Sequence, residues 1–182
     1  MSSNTVQDRP LLVGYDGSDD ARAALETLAG LAPGAEVVVV FAYQPLAGVL
    51  RDHWIPAAGD LAVPSAEREQ VAAAERIARD GADRATVLGL HARAVVAAAD
   101  RSAAETLVAV AEQLDAAAIV VGARGHGGRA TSIAGSVAHH LAHQSPRPTL
   151  LLPSPALAAA RTAATARAAG PVTVRDAEVA RV

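Results

Sequence analysis

Residues 117–141 read AAIVVGARGHGGRATSIAGSVAHHL. A short apolar run, Ala117 to Gly122, leads into the link Gly122-Ala123-Arg124-Gly125-His126-Gly127-Gly128-Arg129, after which Ile133, Val137 and Leu141 recur at the spacing of one helix face. The apolar run is brief and closed by glycine, which predicts a strand. Strand, glycine link and helix in succession form half of a parallel β-α-β unit. Glycine lets a bound group come close to the backbone, and a helix opening at that point aims its first amides at the group. Gly122 and Gly125 are therefore the expected points of approach, with the amides near Gly135 and Ser136 and the Ser136 hydroxyl as donors. Local charge agrees with an anionic ligand: no Asp or Glu occurs from Ala116 to Arg175, whereas Arg124 and Arg129 sit inside the link. Four glycines also serve a plain tight turn. The helix directly behind them, the acid-free stretch and Asp16 at the end of the first strand favour a ligand, because ligands of open α/β sheets lie outside the carboxyl ends of the strands.

Working outward, Leu11–Tyr15, Glu36–Tyr43, His91–Ala98 and Pro148–Leu152 join Ala117–Gly122 as five short apolar runs separated by helical patterns. That alternation predicts an α/β fold, an open five-stranded parallel sheet with helices on both faces. Ser18 is placed to cap the first helix, with Asp19 and Asp20 at its positive end, and the helix stops near Gly30 and Pro33. Ser102-Ala103-Ala104-Glu105 is a capping box ahead of Leu107, Val110, Ala111 and Leu114 on one face. Ser65 is expected to cap a long helix with Val71, Ala74 and Ile77 turned inward, ending near Gly89. Between them, Gln44 to Pro64 carries Pro45, Gly48, Pro56, Gly59 and Pro64 around Trp54 and predicts a long surface loop, a lid or a plug at the domain edge. Beyond Pro153 and Pro155 the chain offers little for a second core. The expected organisation is an arm over 1–9, one domain over 10–155 and an Ala/Arg-rich tail over 156–182.

Composition narrows the chemistry. The 182 residues contain no cysteine, which removes thiolate nucleophiles, disulfides and cysteine-ligated zinc and suits a cytoplasmic setting. All 16 basic residues are arginine, so a Walker lysine, a Schiff-base lysine and a kinase strand lysine are excluded. A net charge of -3 gives no overall attraction to nucleic acid or to an anionic membrane. No signal-peptide core follows the polar residues Met1 to Pro10, and Ala156 to Ala169 is broken by Arg161 and Arg167, short of the roughly 20 apolar residues of a membrane span.

Gly122-Ala123-Arg124-Gly125, nine residues, then Gly135-Ser136 matches the G-2x-G-9x-G-[S/T] nucleotide motif of the universal stress proteins, and Val13-Gly14-Tyr15-Asp16-Gly17-Ser18 resembles their first-strand signature. The resemblance extends over nearly all of 10–153. It implies flavodoxin- or Rossmann-like layering of the adenine nucleotide alpha hydrolase kind, with the first and fourth strands adjacent, so that Asp16 and the glycine link flank one crevice. It implies ATP, or AMP, as ligand, bound rather than rapidly turned over. Asp16 would contact the adenosine moiety and backbone around Ala42 the adenine edge. Gly122, Arg124 and Gly125 would line the phosphates, and Gly135, Ser136 and Val137 would close the far side, with Mg²⁺ riding on the nucleotide. A nucleotide-free interaction protein of the same fold is the alternative. In related proteins the last strand pairs across a two-fold axis, and here Thr149 to Leu152 is a short apolar terminal strand, so a homodimer is expected.

Rival motifs fare less well. Gly125-His126-Gly127-Gly128-Arg129-Ala130 satisfies a dinucleotide pattern, but it follows the fourth strand, not the first, and has no acidic ribose ligand after it. A phosphoacceptor domain needs a lysine. His139 and His143 have zinc-like spacing, yet His140 stands where the metalloprotease signature requires glutamate. Ser136 with His126 lacks the surroundings of a nucleophile elbow.

Overall fold

The computed structural model describes residues 9–45, 63–99, 102–125 and 135–168. The chain runs β1 (Leu11–Gly14), α1 (Asp19–Leu31), β2 (Glu36–Tyr43), α2 (Val63–Val87), β3 (His91–Ala98), α3 (Ala103–Gln113), β4 (Ala118–Gly122), α4 (Ser136–Gln144), β5 (Thr149–Leu152) and α5 (Pro155–Ala168). The five strands form one sheet in the order β3-β2-β1-β4-β5, with every neighbouring pair parallel. The expected α/β sheet and its adjacent first and fourth strands are therefore present.

Alternation along each strand divides the core in two. Leu12, Val38, Val40, Ile119 and Val121 meet Leu107 and Ala111 of α3 and Ala138 and Leu141 of α4 on one face. Val13, Tyr15, Val37, Val39 and Val120 meet Leu25 and Leu28 of α1 and Ala82 and Ala85 of α2 on the other. The helices are rich in small residues, so they sit close to the sheet. A Cβ on Gly81 would lie 2.7 Å from the Tyr15 ring and 2.8 Å from Val39, and one on Gly14 would lie 2.8 Å from Leu107.

Two of the three expected caps form. Ser18 Oγ accepts from the Ala21 amide at 3.2 Å, and Ser102 and Glu105 make both bonds of the capping box. Other boundaries shift. β1 ends at Gly14, although the Tyr15 amide still reaches Val40 O at 2.9 Å; β4 and β5 begin at Ala118 and Thr149. Ser65 is not the cap of α2, which starts at Val63, because Pro64 needs no hydrogen bond in a first helical turn. The expected tail is helical as far as Ala168. Ser154 Oγ accepts from the Leu157 amide at 3.4 Å, Pro155 opens the helix, and alanine carries it on. Leu157 is buried while most of α5 stays exposed. Trp54, His126, Arg129 and Ile133 lie outside the described residues.

Candidate functional site

Parallel strands that leave β1 in opposite directions open a crevice above its carboxyl end, between β1 and β4. A cavity of ≈ 190 Å³ occupies it. Asp16, Ala42, Gly122, Arg124, Gly125, Gly135, Ser136 and Val137, all eight residues singled out from the sequence, line this cavity.

Asp16 stands in the turn from β1 to α1. Gly17 makes that turn possible with φ +78°, and Asp16 Oδ1 accepts from the Ser18 amide at 3.0 Å. Across the crevice Asp16 comes so near Gly125 that a Cβ there would lie 2.5 Å from Asp16 Oδ2. The pairing of β1 with β4, which sets Gly14 opposite Val121, creates that approach.

Three helices begin around the cavity, and their first turns differ. α1 is capped by Ser18 and carries Asp19 and Asp20. α3 is closed by the Ser102–Glu105 box, with an acid in its first turn. α4 opens at Gly135 with no side-chain cap and no acid in its first turn. Its first intrahelical bond runs from the His139 amide to Gly135 O at 2.9 Å, which leaves the Ser136, Val137 and Ala138 amides without an acceptor inside the helix. α4 is therefore the helix start best suited to an anion. The Gly135 amide does not belong with these donors, as the sequence had suggested: it donates to Ala123 O at 2.8 Å and pins the start of α4 to the link.

Gly122 also has a different reason to be glycine. A Cβ there would lie 2.9 Å from the Asp20 carbonyl carbon and oxygen, so its bareness seats α1 on β4. Gly135 sits tightly as well, with a Cβ position 3.3 Å from Arg124 Cα.

Ala42 marks the other end of the cavity. Tyr15 N–H donates to Val40 O, and Ala99 N–H donates to Tyr43 O. In a parallel ladder successive residues turn their polar groups to opposite sides. Ala42 thus shares the side of Val40, directed past the end of β1, where no described strand receives it. One amide and one carbonyl there form a donor and acceptor pair facing the crevice.

A model of the universal stress protein family matches residues 9–153. This chain belongs to the universal stress protein family. Solved structures with the same fold include the universal stress protein from Archaeoglobus fulgidus in complex with dAMP, at 21% identity and TM-score 0.55, covering 79% of this chain and 97% of that one. A universal stress protein in complex with cAMP has 24% identity and TM-score 0.50 over 79% of this chain and 95% of its own. One from Lactobacillus plantarum has 18% identity and TM-score 0.59 over 79% and 97%. No curated protein matches the chain in sequence.

In this universal stress protein the cavity has further walls that sequence reasoning missed. Phe41, Leu107 and Val121 supply apolar surface, and Ala103 brings in the start of α3. Leu107 was legible only as a core residue, because helical periodicity does not tell an inward face from one that also borders a cavity. Elsewhere, the His139 and His143 rings lie 4.7 Å apart, both exposed, and among the described residues no group of three His, Cys, Asp or Glu side chains is placed to hold a metal. No helix among the described residues is long and apolar enough to cross a membrane.

Proposed function

We propose that this universal stress protein binds an adenine nucleotide, ATP or AMP, in the crevice between β1 and β4, and that it acts in the stress response by binding rather than by rapid turnover. One observation carries the reading: the uncapped, acid-free start of α4 faces Asp16 and the polar edge of Ala42 that no described strand receives, across a single cavity. The Ala42 amide and carbonyl suit N1 and the N6 amino group of adenine, whereas guanine would set donor against donor. Asp16 takes the ribose, Gly125 and Arg124 border the phosphates, and the Ser136, Val137 and Ala138 amides with the Ser136 hydroxyl receive the terminal ones. The dAMP and cAMP complexes of structural neighbours support an adenine ligand. Among the described residues the Asp16 and Ser136 side chains are too few oxygen ligands for an all-protein cage, so Mg²⁺ enters on the phosphates. The working form is a cytoplasmic homodimer paired through β5, which is the end strand of the sheet and has no outer neighbour among the described residues.

The deciding experiment is to denature the purified protein and identify any released nucleotide, then titrate the emptied protein with ATP, AMP and GTP while assaying phosphate release. Adenine nucleotide in the supernatant and preference for ATP or AMP over GTP support the reading. No bound nucleotide and no titration signal would leave the nucleotide-free interaction protein in its place, and turnover many times per second would make the protein an ATPase.

A further inference from the structure

Tyr15 joins the cavity to a helix that the proposed ligand contacts leave out. Its ring is 2% exposed and lies beneath α2 at Gly81, the one position on that turn bare enough to admit it. Its hydroxyl donates to Asp80 Oδ2 at 2.6 Å, and the same oxygen accepts from Arg84 Nε at 2.9 Å. Burial, reinforced by Asp80, pushes the phenol up to about 12, so it remains a donor across the working pH range. Phenylalanine would fill the ring's space equally well, and the hydroxyl's added effect is to reach from the core to α2. On the backbone side the Tyr15 amide is tied to Val40 O. Tyr15 is thus held by β2 through its main chain and by α2 through its side chain, and the next residue is Asp16, in a turn closed by the Ser18 amide.

We infer that Tyr15, through its bond to Asp80, is a positioning residue that seats the Asp16 turn against α2 and so sets the affinity of the base side of the cavity. The inference rests on the nucleotide reading of that cavity. A turn held at both ends loses less freedom when a ligand arrives, and a turn released at one end loses more.

Tyr15→Phe, Asp80→Ala, the double variant and Asp80→Asn, which keeps an acceptor for the hydroxyl, test this. Adenosine and inorganic triphosphate are titrated separately as probes of the two ends of the cavity. Tyr15→Phe and Asp80→Ala should each weaken adenosine about threefold to tenfold and leave triphosphate unchanged, on the scale of part of a charged hydrogen bond. The double variant should be no weaker than either single one, and Asp80→Asn should stay near the parent. Without ligand, hydrogen exchange of the Ser18 amide should quicken in Tyr15→Phe while that of Val39, in mid-strand, does not. Parental adenosine affinity, or equal weakening of both probes with a general rise in exchange, would overturn the inference. If the parent binds neither probe, the nucleotide reading fails, and Ser18 exchange alone then decides whether Tyr15 positions the turn.

Discussion

Replacing Gly125 with alanine should separate the site from the scaffold. The new Cβ would lie 2.5 Å from Asp16 Oδ2. Carbon and oxygen settle at about 3.3 Å or beyond, so one of the two must retreat by roughly 0.8 Å. Gly125 does not have a positive φ, so alanine fits its backbone, and the obstructing atom is the end of a side chain rather than main chain. Asp16 therefore yields, straining or breaking its bond to the Ser18 amide and leaving the place from which, on the proposed reading, it would meet the ribose. A hydrogen bond to a charged group is worth about 1.5–3 kcal/mol. Its loss corresponds to roughly a tenfold to hundredfold rise in Kd. The stability cost should stay under about 1 kcal/mol, because the partly exposed carboxylate can turn to water. Gly122→Ala is the control with the opposite signature. Its Cβ would meet the Asp20 main chain at 2.9 Å, so α1 itself must move, at the cost of about 1–3 kcal/mol typical of overpacking. Calorimetric titration with ATP beside thermal melts reads both quantities. Parental affinity in Gly125→Ala, or a melting loss as large as that of Gly122→Ala, would refute the assignment of Gly125 to the ligand.

Leu151→Glu puts a charge on the edge strand β5 and should turn dimers into monomers by light scattering; an unchanged dimer would place the interface elsewhere. Deleting 156–182 removes α5 with its one buried leucine, Leu157, so stability should drop by no more than about 2 kcal/mol while nucleotide affinity is kept. A larger loss by chemical denaturation would mean that the segment docks more extensively. Acid should weaken the fold through Arg147, which bonds Glu112 and Asp115 and holds both carboxyls below their ordinary values of 4.5 and 3.8. Depressed carboxyls stabilise above those values and stop doing so as pH falls through the folded ones. The melting temperature should therefore hold above the ordinary values of 4.5 and 3.8 and fall as pH drops below them, and fall less in Arg147→Met, as followed by circular dichroism.

Local signals were enough for the strands, the Ser18 cap, the capping box and the glycine link, because apolar periodicity and capping each act within a few residues. They also marked Gly122, Gly125, Gly135 and Ser136 among the residues that line the cavity, since the motif spacing is itself a string of sequence, whereas Ala42 and Val137 entered only through the family resemblance. The helix over 155–168 was written there too, in Ser154-Pro155 and the alanines, but low amphipathicity hid it behind the look of a tail. What each glycine does was decided only by tertiary structure. Gly122 spares α1 and Gly125 spares Asp16, neighbours that only the β1–β4 pairing brings together, while Gly135 spares the link as it folds back on the start of α4. The same holds for the Gly135 amide, spent on Ala123, and for Tyr15, whose partner Asp80 lies on a helix across the sheet from the glycine link's own. Residue type and spacing state what a side chain can do; the packing of distant segments at fixed distances settles which of those options remains open.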